Sequence, residues 1–260
     1  MNNEQWKAFC SFRNEFKKKT EEWSLAVPNL SLLQKNAAEK AGTPVYPFET
    51  PVVYNTDFEK ITPEDEIKLI VIGDNPGKDE QREQNRRYLC GQAGKIADGF
   101  FKKNPGLCID FRKNVIILNK TPVHSAKTAQ LKTIMKQGGP QAEKLILESQ
   151  LWMAQKTAEL HKALLEASDS TFPELWLVGY SELKGKGFFV PYRDKLMQTY
   201  KNGVAGEGEP EAWNKVYVFQ HFSMNRFTID LSEYGHKELS LMERVHGIGE
   251  LHKKEIFGLD

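Results

Sequence analysis

Polar residues that could do acid–base or hydrogen-bonding chemistry follow three short apolar runs of the chain. These residues are Asp74 with Asn75, Asn119, and His221 with Ser223. A carboxylate can act as a general base, a carboxamide offers both a donor and an acceptor, and an imidazole can donate to an atom on which negative charge develops. Together they could form a hydrolytic or binding site, provided that the fold brings the three runs to one place.

Four short apolar runs, the first of them rich in β-branched residues, predict the strands of a buried parallel sheet. They cover residues 67–72, 114–119, 174–180 and 215–220. Helical spacing separates them, at residues 93–103 and about 141–167. We expect a three-layer α/β fold, with a central four-stranded parallel sheet and helices on both faces. Parallel strands present their carboxyl ends at one edge, where ligands bind in such folds, so the polar residues should converge there.

The turn after the first predicted strand reads G-D-N-P-G. Gly73 and Gly77 allow the backbone to turn sharply, and Pro76 removes one backbone donor. Asp74 and Asn75 are thereby left at the carboxyl end of the strand. Taken alone, this turn could also be an ordinary polar connection between a strand and a helix.

The chain is predicted to be a single domain, residues 1–260, with an N-terminal helical extension over about residues 1–60. Aromatic residues recur at helical spacing, which is typical of core packing: Trp6, Phe9, Phe12, Phe16 and Trp23. Three prolines predict an extended connection over residues 43–57, and glycines predict a mobile surface loop at 203–210. The spacing of the C-terminal histidines does not suit a metal site, so we expect them at the surface: His236, His246 and His252.

Composition indicates an ordinary intracellular protein. Its 36 basic and 35 acidic residues give a formal charge of +1, so any DNA contact must come from local basic clusters. The clusters are Lys17 to Lys19; Arg82, Arg86 and Arg87; Lys102 and Lys103; and Lys184 and Lys186. Three cysteines without C-x-x-C spacing favour a reducing compartment, and we find neither a signal peptide nor a membrane-spanning run. We expect a cytoplasmic monomer without metal or cofactor.

The motifs, taken in order, resemble those of the uracil-DNA glycosylase superfamily. In that superfamily the first strand ends in G-x-[D/N/A]-P-[G/Y], a middle strand ends in Asn, and the last strand ends in H-P-S. The corresponding segments are GDNPG at 73–77, IILN at 116–119 and HFS at 221–223. GQAG at 91–94 is similar to the segment that follows the first motif in the thermostable branch. The resemblance covers residues 67–226.

The chain also departs from that pattern. Leu89, next to Tyr88, stands where the thermostable branch has a phenylalanine that resembles a platform for the flipped base. Phe222 replaces the proline of H-P-S. The thermostable branch carries four cysteines around an iron–sulfur cluster, and three cysteines with different spacing predict no such cluster here. Asn75 at the third place of the first motif is similar to the mismatch-specific and single-strand-selective branches.

The resemblance implies a monofunctional DNA glycosylase that flips out a damaged pyrimidine, uracil first, and hydrolyses its N-glycosidic bond. Asn119 would read the base edge, His221 would donate to a base oxygen, and either Asn75 or Asp74 would hold the water. The rest of the expected base pocket is Gly73, Pro76, Tyr88 and Leu89. Expected DNA contacts, with Lys120 nearby in sequence, are Gly77, Ser125, Lys127, Ser223, and the wedge segment Met224, Asn225 and Arg226.

Simpler interpretations of the same residues stay open. Asn is a favoured N-cap, so Asn119 could cap the following helix, and His221 could be a satisfied core histidine. For the whole chain, the alternatives are a non-catalytic DNA-binding relative and a small-molecule or nucleotide-binding protein that uses the same sheet edge.

Overall fold

The computed structural model describes residues 1–166, 173–202, 211–235 and 238–259. Within them lies one four-stranded sheet in the order β2-β1-β3-β4, with every neighbouring pair of strands parallel. The strands are β1 (Leu69–Gly73), β2 (Val115–Asn119), β3 (Glu174–Val178) and β4 (Val216–Phe219). Helices flank the sheet, so the predicted three-layer α/β fold is confirmed.

Eight α-helices lie in the described part of the chain: α1 (Asn3–Ala26), α2 (Leu30–Lys40), α3 (Gln92–Lys103), α4 (Gln130–Glu166), α5 (Tyr180–Leu183), α6 (Val190–Lys201), α7 (Arg226–Glu233) and α8 (Leu241–Phe257). The prediction for α4 began too late, near residue 141. Gly139, with φ of +61°, and Pro140 kink this helix instead of ending it. The predicted end of α4 at residue 167 and the predicted loop at 203–210 lie outside the described residues.

The sheet is buried between two layers of helices. Every position of β1 and β2 is buried, as expected for parallel strands that are covered on both faces. Trp176 of β3 packs against Phe101 of α3 and Phe227 of α7, with ring centroids 5.6 and 5.9 Å away, and α8 packs along β4. In the other group of helices, α4 contacts α1, α2 and α6. The helices cover the two faces of the sheet, and the loops that carry the candidate site lie at the carboxyl ends of the strands.

The aromatic stripe of α1 is core, as predicted. Phe12, Phe16 and Trp23 are buried, and Phe16 stacks on Trp152 of α4 with ring centroids 5.9 Å apart. These side chains belong to the same hydrophobic cluster as the strands. The N-terminal helices therefore share the core of the sheet.

The C-terminal histidines differ from the prediction. His252 is buried, because α8 packs along β4. His246 is half-buried, and its Nε2 lies 2.6 Å from a carboxylate oxygen of Glu174. His236 lies outside the described residues. No helix in the described ranges is both long and apolar enough to cross a membrane.

Candidate active site at the carboxyl edge of the sheet

The strand order creates a crevice between β1 and β3. The connection that follows β1 leads to β2 on one side, and the connection that follows β3 leads to β4 on the other. Such a switch point is where ligands bind in open α/β sheets. Asp74 follows β1 and Gly179 follows β3. Gly179 has φ of +101°, and a Cβ there would lie 2.3 Å from Oδ1 of Asp74. Glycine at this position therefore makes room for the Asp74 carboxylate at the crevice.

Asp74 is paired with a buried lysine. Lys120, the residue after β2, is fully buried, and its ammonium lies 2.6 Å from Asp74 Oδ1 and 2.5 Å from the carbonyl oxygen of Val178. The ring of Phe189 lies 5.0 Å from the same ammonium. Burial lowers the pKa of Lys120, and the carboxylate of Asp74 opposes that shift. Lys120 cannot reach a DNA phosphate, which corrects the expectation drawn from its place in the sequence.

Asn75 ties the turn after β1 to the loop after β2. Its Nδ2 donates to the carbonyl oxygen and to Oγ of Ser125, each at 3.0 Å, and its Oδ1 accepts from Oγ1 of Thr128 at 3.0 Å. Both ends of this amide are engaged by the protein. The outer oxygen of Asp74, Oδ2, has only a long contact of 3.5 Å with Thr128 Oγ1 among the described residues. Asp74 therefore keeps more capacity to accept a hydrogen bond from water.

A buried histidine fixes the same loop. His124 Nδ1 lies 2.8 Å from the carbonyl oxygen of Pro76 and therefore donates, since a carbonyl can only accept. His124 Nε2 then accepts from the hydroxyl of Tyr46 at 2.8 Å. Burial lowers the pKa of His124 to about 4, so the ring is neutral at physiological pH. The carbonyl oxygen of Pro76 also accepts from the backbone N–H of Ser125 at 3.2 Å, so the carbonyl group holds Pro76 in place.

Asn119 is the last residue of β2 and is 1% exposed. It pairs in register with Gly73, where a Cβ would lie 2.4 Å from Asn119 Oδ1. Its Nδ2 has no hydrogen-bond partner among the described residues. The next α-helix begins only at Gln130, so Asn119 is not a helix cap. An unpaired buried amide costs about 1–3 kcal/mol, so this donor needs a partner, which a water or a ligand could supply.

His221 is part-buried and lies close to the ion pair. The backbone N–H of Ser223 donates to His221 Nδ1 at 3.1 Å, so the proton of the neutral ring is on Nε2. Burial lowers the pKa of His221, the charge of Asp74 raises it, and the charge of Lys120 lowers it again. His221 is therefore a neutral donor at the sheet edge and not a fully enclosed core histidine.

Tyr88 and Leu89 do not form an exposed floor for a base. Tyr88 is fully buried, and its hydroxyl donates to the carbonyl oxygen of Val53 at 2.5 Å. This placement corrects the expectation that Tyr88 binds a base. Leu89 is 3% exposed, has φ of +47°, and accepts a hydrogen bond from the Arg112 guanidinium through its carbonyl. A Cβ at Gly94 would lie 1.4 Å from that carbonyl oxygen, so the G-Q-A-G segment closes on the backbone of Leu89.

The loop after β4 presents the expected wedge segment to solvent. Met224, Asn225 and Arg226 are all exposed, and Met224 is 79% exposed. Met224 and Asn225 both have left-handed backbone, with φ of +54° and +56°. Adjacent left-handed residues that are not glycine are uncommon and costly, and such strain is found at functional sites. Phe222, which precedes this segment, is fully buried and packs on Phe227.

The other expected DNA contacts differ in exposure. The N–H of Gly77 donates to Glu80 Oε2 at 2.9 Å. The hydroxyl of Ser125 donates to the carbonyl of Lys127 at 3.0 Å, and the hydroxyl of Ser223 lies 2.8 Å from the His221 imidazole. These three groups hold loops in place, whereas the side chain of Lys127 is exposed.

Several residues have roles at the site that were not predicted, among them Lys120 as the partner of Asp74, Thr128, Gly179 and His124. Lys120 stands between a buried strand and Thr-Pro, a position from which a side chain can turn inward. Gly179 comes at the carboxyl end of β3, just as Gly73 does at the carboxyl end of β1. Nothing in the sequence pointed to Thr128. In the described ranges no three His, Cys, Asp or Glu side chains are grouped as a metal site would need.

The site is thus one carboxylate, two carboxamides and one imidazole at a single sheet edge. Such a set can position a water, bind a heterocycle by its edge and donate to a developing negative charge. No protein-family model, no curated protein and no solved structure matches the chain. The relationship to the uracil-DNA glycosylase superfamily therefore stays a prediction that depends on the motifs of the chain itself.

Proposed function

We propose that this protein is a DNA glycosylase that flips a uracil, or a closely related damaged pyrimidine, out of DNA and hydrolyses its N-glycosidic bond. The observation that carries the proposal is the buried carboxamide of Asn119, whose Nδ2 is unpaired among the described residues. Its Oδ1 can accept from N3–H of uracil while Nδ2 donates to O4. Cytosine presents the opposite pattern, an acceptor at N3 and a donor at N4, so an amide held in this orientation would reject it.

His221 would stabilise the departing base. When the bond breaks, its electron pair stays with the base, and negative charge develops on the base oxygens. The Nε2–H of His221 can donate to such an oxygen, and the lowered pKa of the ring keeps it neutral with Nδ1 held by Ser223. A hydrogen-bond donor of this kind contributes about 10²–10³ in rate.

Asp74 would hold the attacking water and face the positively charged sugar. The contacts favour Asp74 over Asn75, because the amide of Asn75 is already bonded at both ends. Lys120 holds Oδ1 and leaves Oδ2 for the water. The water oxygen forms the new bond to the anomeric carbon, and the proton that it loses neutralises the base anion, so the products are free base and an abasic site.

An oligonucleotide with one uracil, incubated with the protein and then cleaved with alkali, tests the proposal. We expect nicking at the uracil. No nicking with uracil, hydroxymethyluracil, xanthine or hypoxanthine would overturn it, and binding to uracil DNA without nicking would favour a non-catalytic relative. DNA affinity that does not depend on salt would favour a small-molecule enzyme instead.

Two variants test the assigned roles. His221→Ala should lower the single-turnover rate by about 10²–10³ while DNA affinity stays within about twofold. Ser223→Ala removes the hydroxyl next to His221 Nδ1 but keeps the backbone N–H that fixes the tautomer, so it should lower the rate much less than His221→Ala does. Equal losses of turnover and of DNA affinity in His221→Ala would mean that the histidine only supports the structure.

A further inference from the structure

A groove of about 690 Å³ runs between α3 and α7, beside the loop that follows β4. Asn225 of that loop lines the groove and follows the exposed Met224 directly. The start of α8 closes one side through Arg244. The groove is therefore continuous with the segment proposed to enter the duplex.

The charged lining of the groove is entirely basic. Lys95 and Lys103 contribute from α3 and Arg244 from α8, and no carboxylate is among the described residues that line it. The described ranges show no ion pair for any of these three cations, whereas the neighbouring Lys102 is paired with Asp98 at 2.6 Å. Arg244 Nε is also buried without a partner among the described residues. In a chain with a net charge of only +1, this groove is a local concentration of positive charge.

The neutral polar groups of the lining are hydroxyls and carboxamides. They belong to Thr228, Ser232, Asn225 and Gln92. Lysine, arginine, hydroxyl and amide donors are the groups that hold phosphate oxygens in protein–DNA complexes. An acidic peptide would use the cations but has less need of the hydroxyls.

We propose that this groove binds the phosphodiester backbone of the DNA strand next to the flipped nucleotide. The inference depends on the proposed function for its partner, DNA, and adds a backbone-binding surface to it. A strand that contacts Met224 can enter the groove through Asn225. Each lysine–phosphate contact releases counterions, so the groove should contribute to the salt dependence of DNA binding.

The test compares duplex binding by two charge-matched double variants. Lys95→Gln/Lys103→Gln removes two charges from the groove, and Lys40→Gln/Lys144→Gln removes two from exposed positions of α2 and α4. The probe is a fluorescein-labelled unmodified duplex of about 30 base pairs, titrated between about 50 and 200 mM salt. We expect the groove variant to bind at least about tenfold more weakly and its log–log salt slope to fall by about two. The control should stay within about twofold of the wild type.

Equal affinity and slope in the groove variant and the control would overturn the inference. A second result would also overturn it: poly-glutamate that binds the wild type as tightly as DNA does and binds the groove variant more weakly. The groove would then suit an acidic protein. Uracil excision is measured separately on each protein. If the wild type excises uracil and the groove variant binds the duplex as tightly as the wild type, only the proposal about the groove fails. If the wild type excises nothing but the groove variant binds the duplex more weakly, only the proposed glycosylase activity fails.

Discussion

The ammonium group of Lys120 lies 2.6 Å from Oδ1 of Asp74, where the lysine side chain is fully buried and the aspartate side chain is 13% exposed. The two residues follow different strands, β2 and β1. A buried ammonium needs a partner, so the pair ties two strand ends together. The charge at the candidate site is therefore positioned by the core beneath it.

Comparing a single with a double variant of this pair should separate its effect on stability from its effect on activity. Lys120→Met leaves the Asp74 carboxylate largely buried and unpaired, and we expect it to lower the free energy of unfolding by about 3–5 kcal/mol. Asp74→Asn/Lys120→Met removes both charges and should regain most of that stability, yet excise uracil at least about 100-fold more slowly. Urea unfolding and single-turnover excision measure the two effects. A double variant with normal excision would show that the carboxylate has no part in the reaction.

The unpaired amide of Asn119 should be a cost to the free protein. Asn119→Leu keeps the branched shape of the side chain and removes the buried donor, so the free energy of unfolding should rise by about 1–3 kcal/mol while excision is lost. Thermal or urea unfolding, together with the excision assay, checks both parts. Val115→Ala, a truncation at the other end of β2, is the control and should destabilise the protein. If Asn119→Leu also destabilises it, the amide supports the fold and the proposed base recognition fails.

Met224 should matter for duplex DNA and not for single strands. Met224→Ala removes an exposed apolar side chain that could fill the space left by a flipped nucleotide, so excision from a duplex should fall by about tenfold or more. Excision from a single-stranded oligonucleotide, which has no partner strand to hold apart, should change by less than about twofold. Leu25→Ala, an apolar truncation at a position of α1 that is 81% exposed and lies outside the groove, is the control. Equal losses on both substrates would contradict a wedge.

Glu80 should make stability depend on pH. Burial raises its pKa to about 7, against 4.5 for the ordinary carboxyl group, so the folded protein binds a proton that the unfolded chain releases between these values. The contribution of Glu80 is most favourable below about pH 4.5 and falls, by about 3 kcal/mol in total, as pH rises through 7. Glu80→Gln removes this titration. Its free energy of unfolding should therefore rise relative to wild type, by up to about 3 kcal/mol, between pH 4.5 and pH 8.

Urea unfolding of both proteins at the two pH values measures this difference. The buried histidines titrate in both proteins and cancel in the comparison. Glu83→Gln, an exposed substitution in the same segment, is the control. A constant difference between Glu80→Gln and wild type across the range would contradict the assigned burial effect.

The strands were predictable because their signal is local. Residues 115–118 of the run at 114–119 are all apolar, and the structure has β2 at Val115–Asn119. Local signals were misleading where packing intervened. Gly139 and Pro140 resemble a helix stop, yet contacts of α4 with α1, α2 and α6 carry the helix through the kink.

The sequence by itself determined that Asp74, Asn75, Asn119 and His221 stand at or just after the carboxyl ends of parallel strands, and hence that they share one edge of the sheet. Only the tertiary structure decided which polar groups are already engaged. It joins Asp74 to Lys120, occupies both ends of Asn75, turns Tyr88 into the core and leaves Asn119 Nδ2 unpaired among the described residues. These pairings depend on strand order and on burial by side chains distant in the chain, which local spacing does not encode.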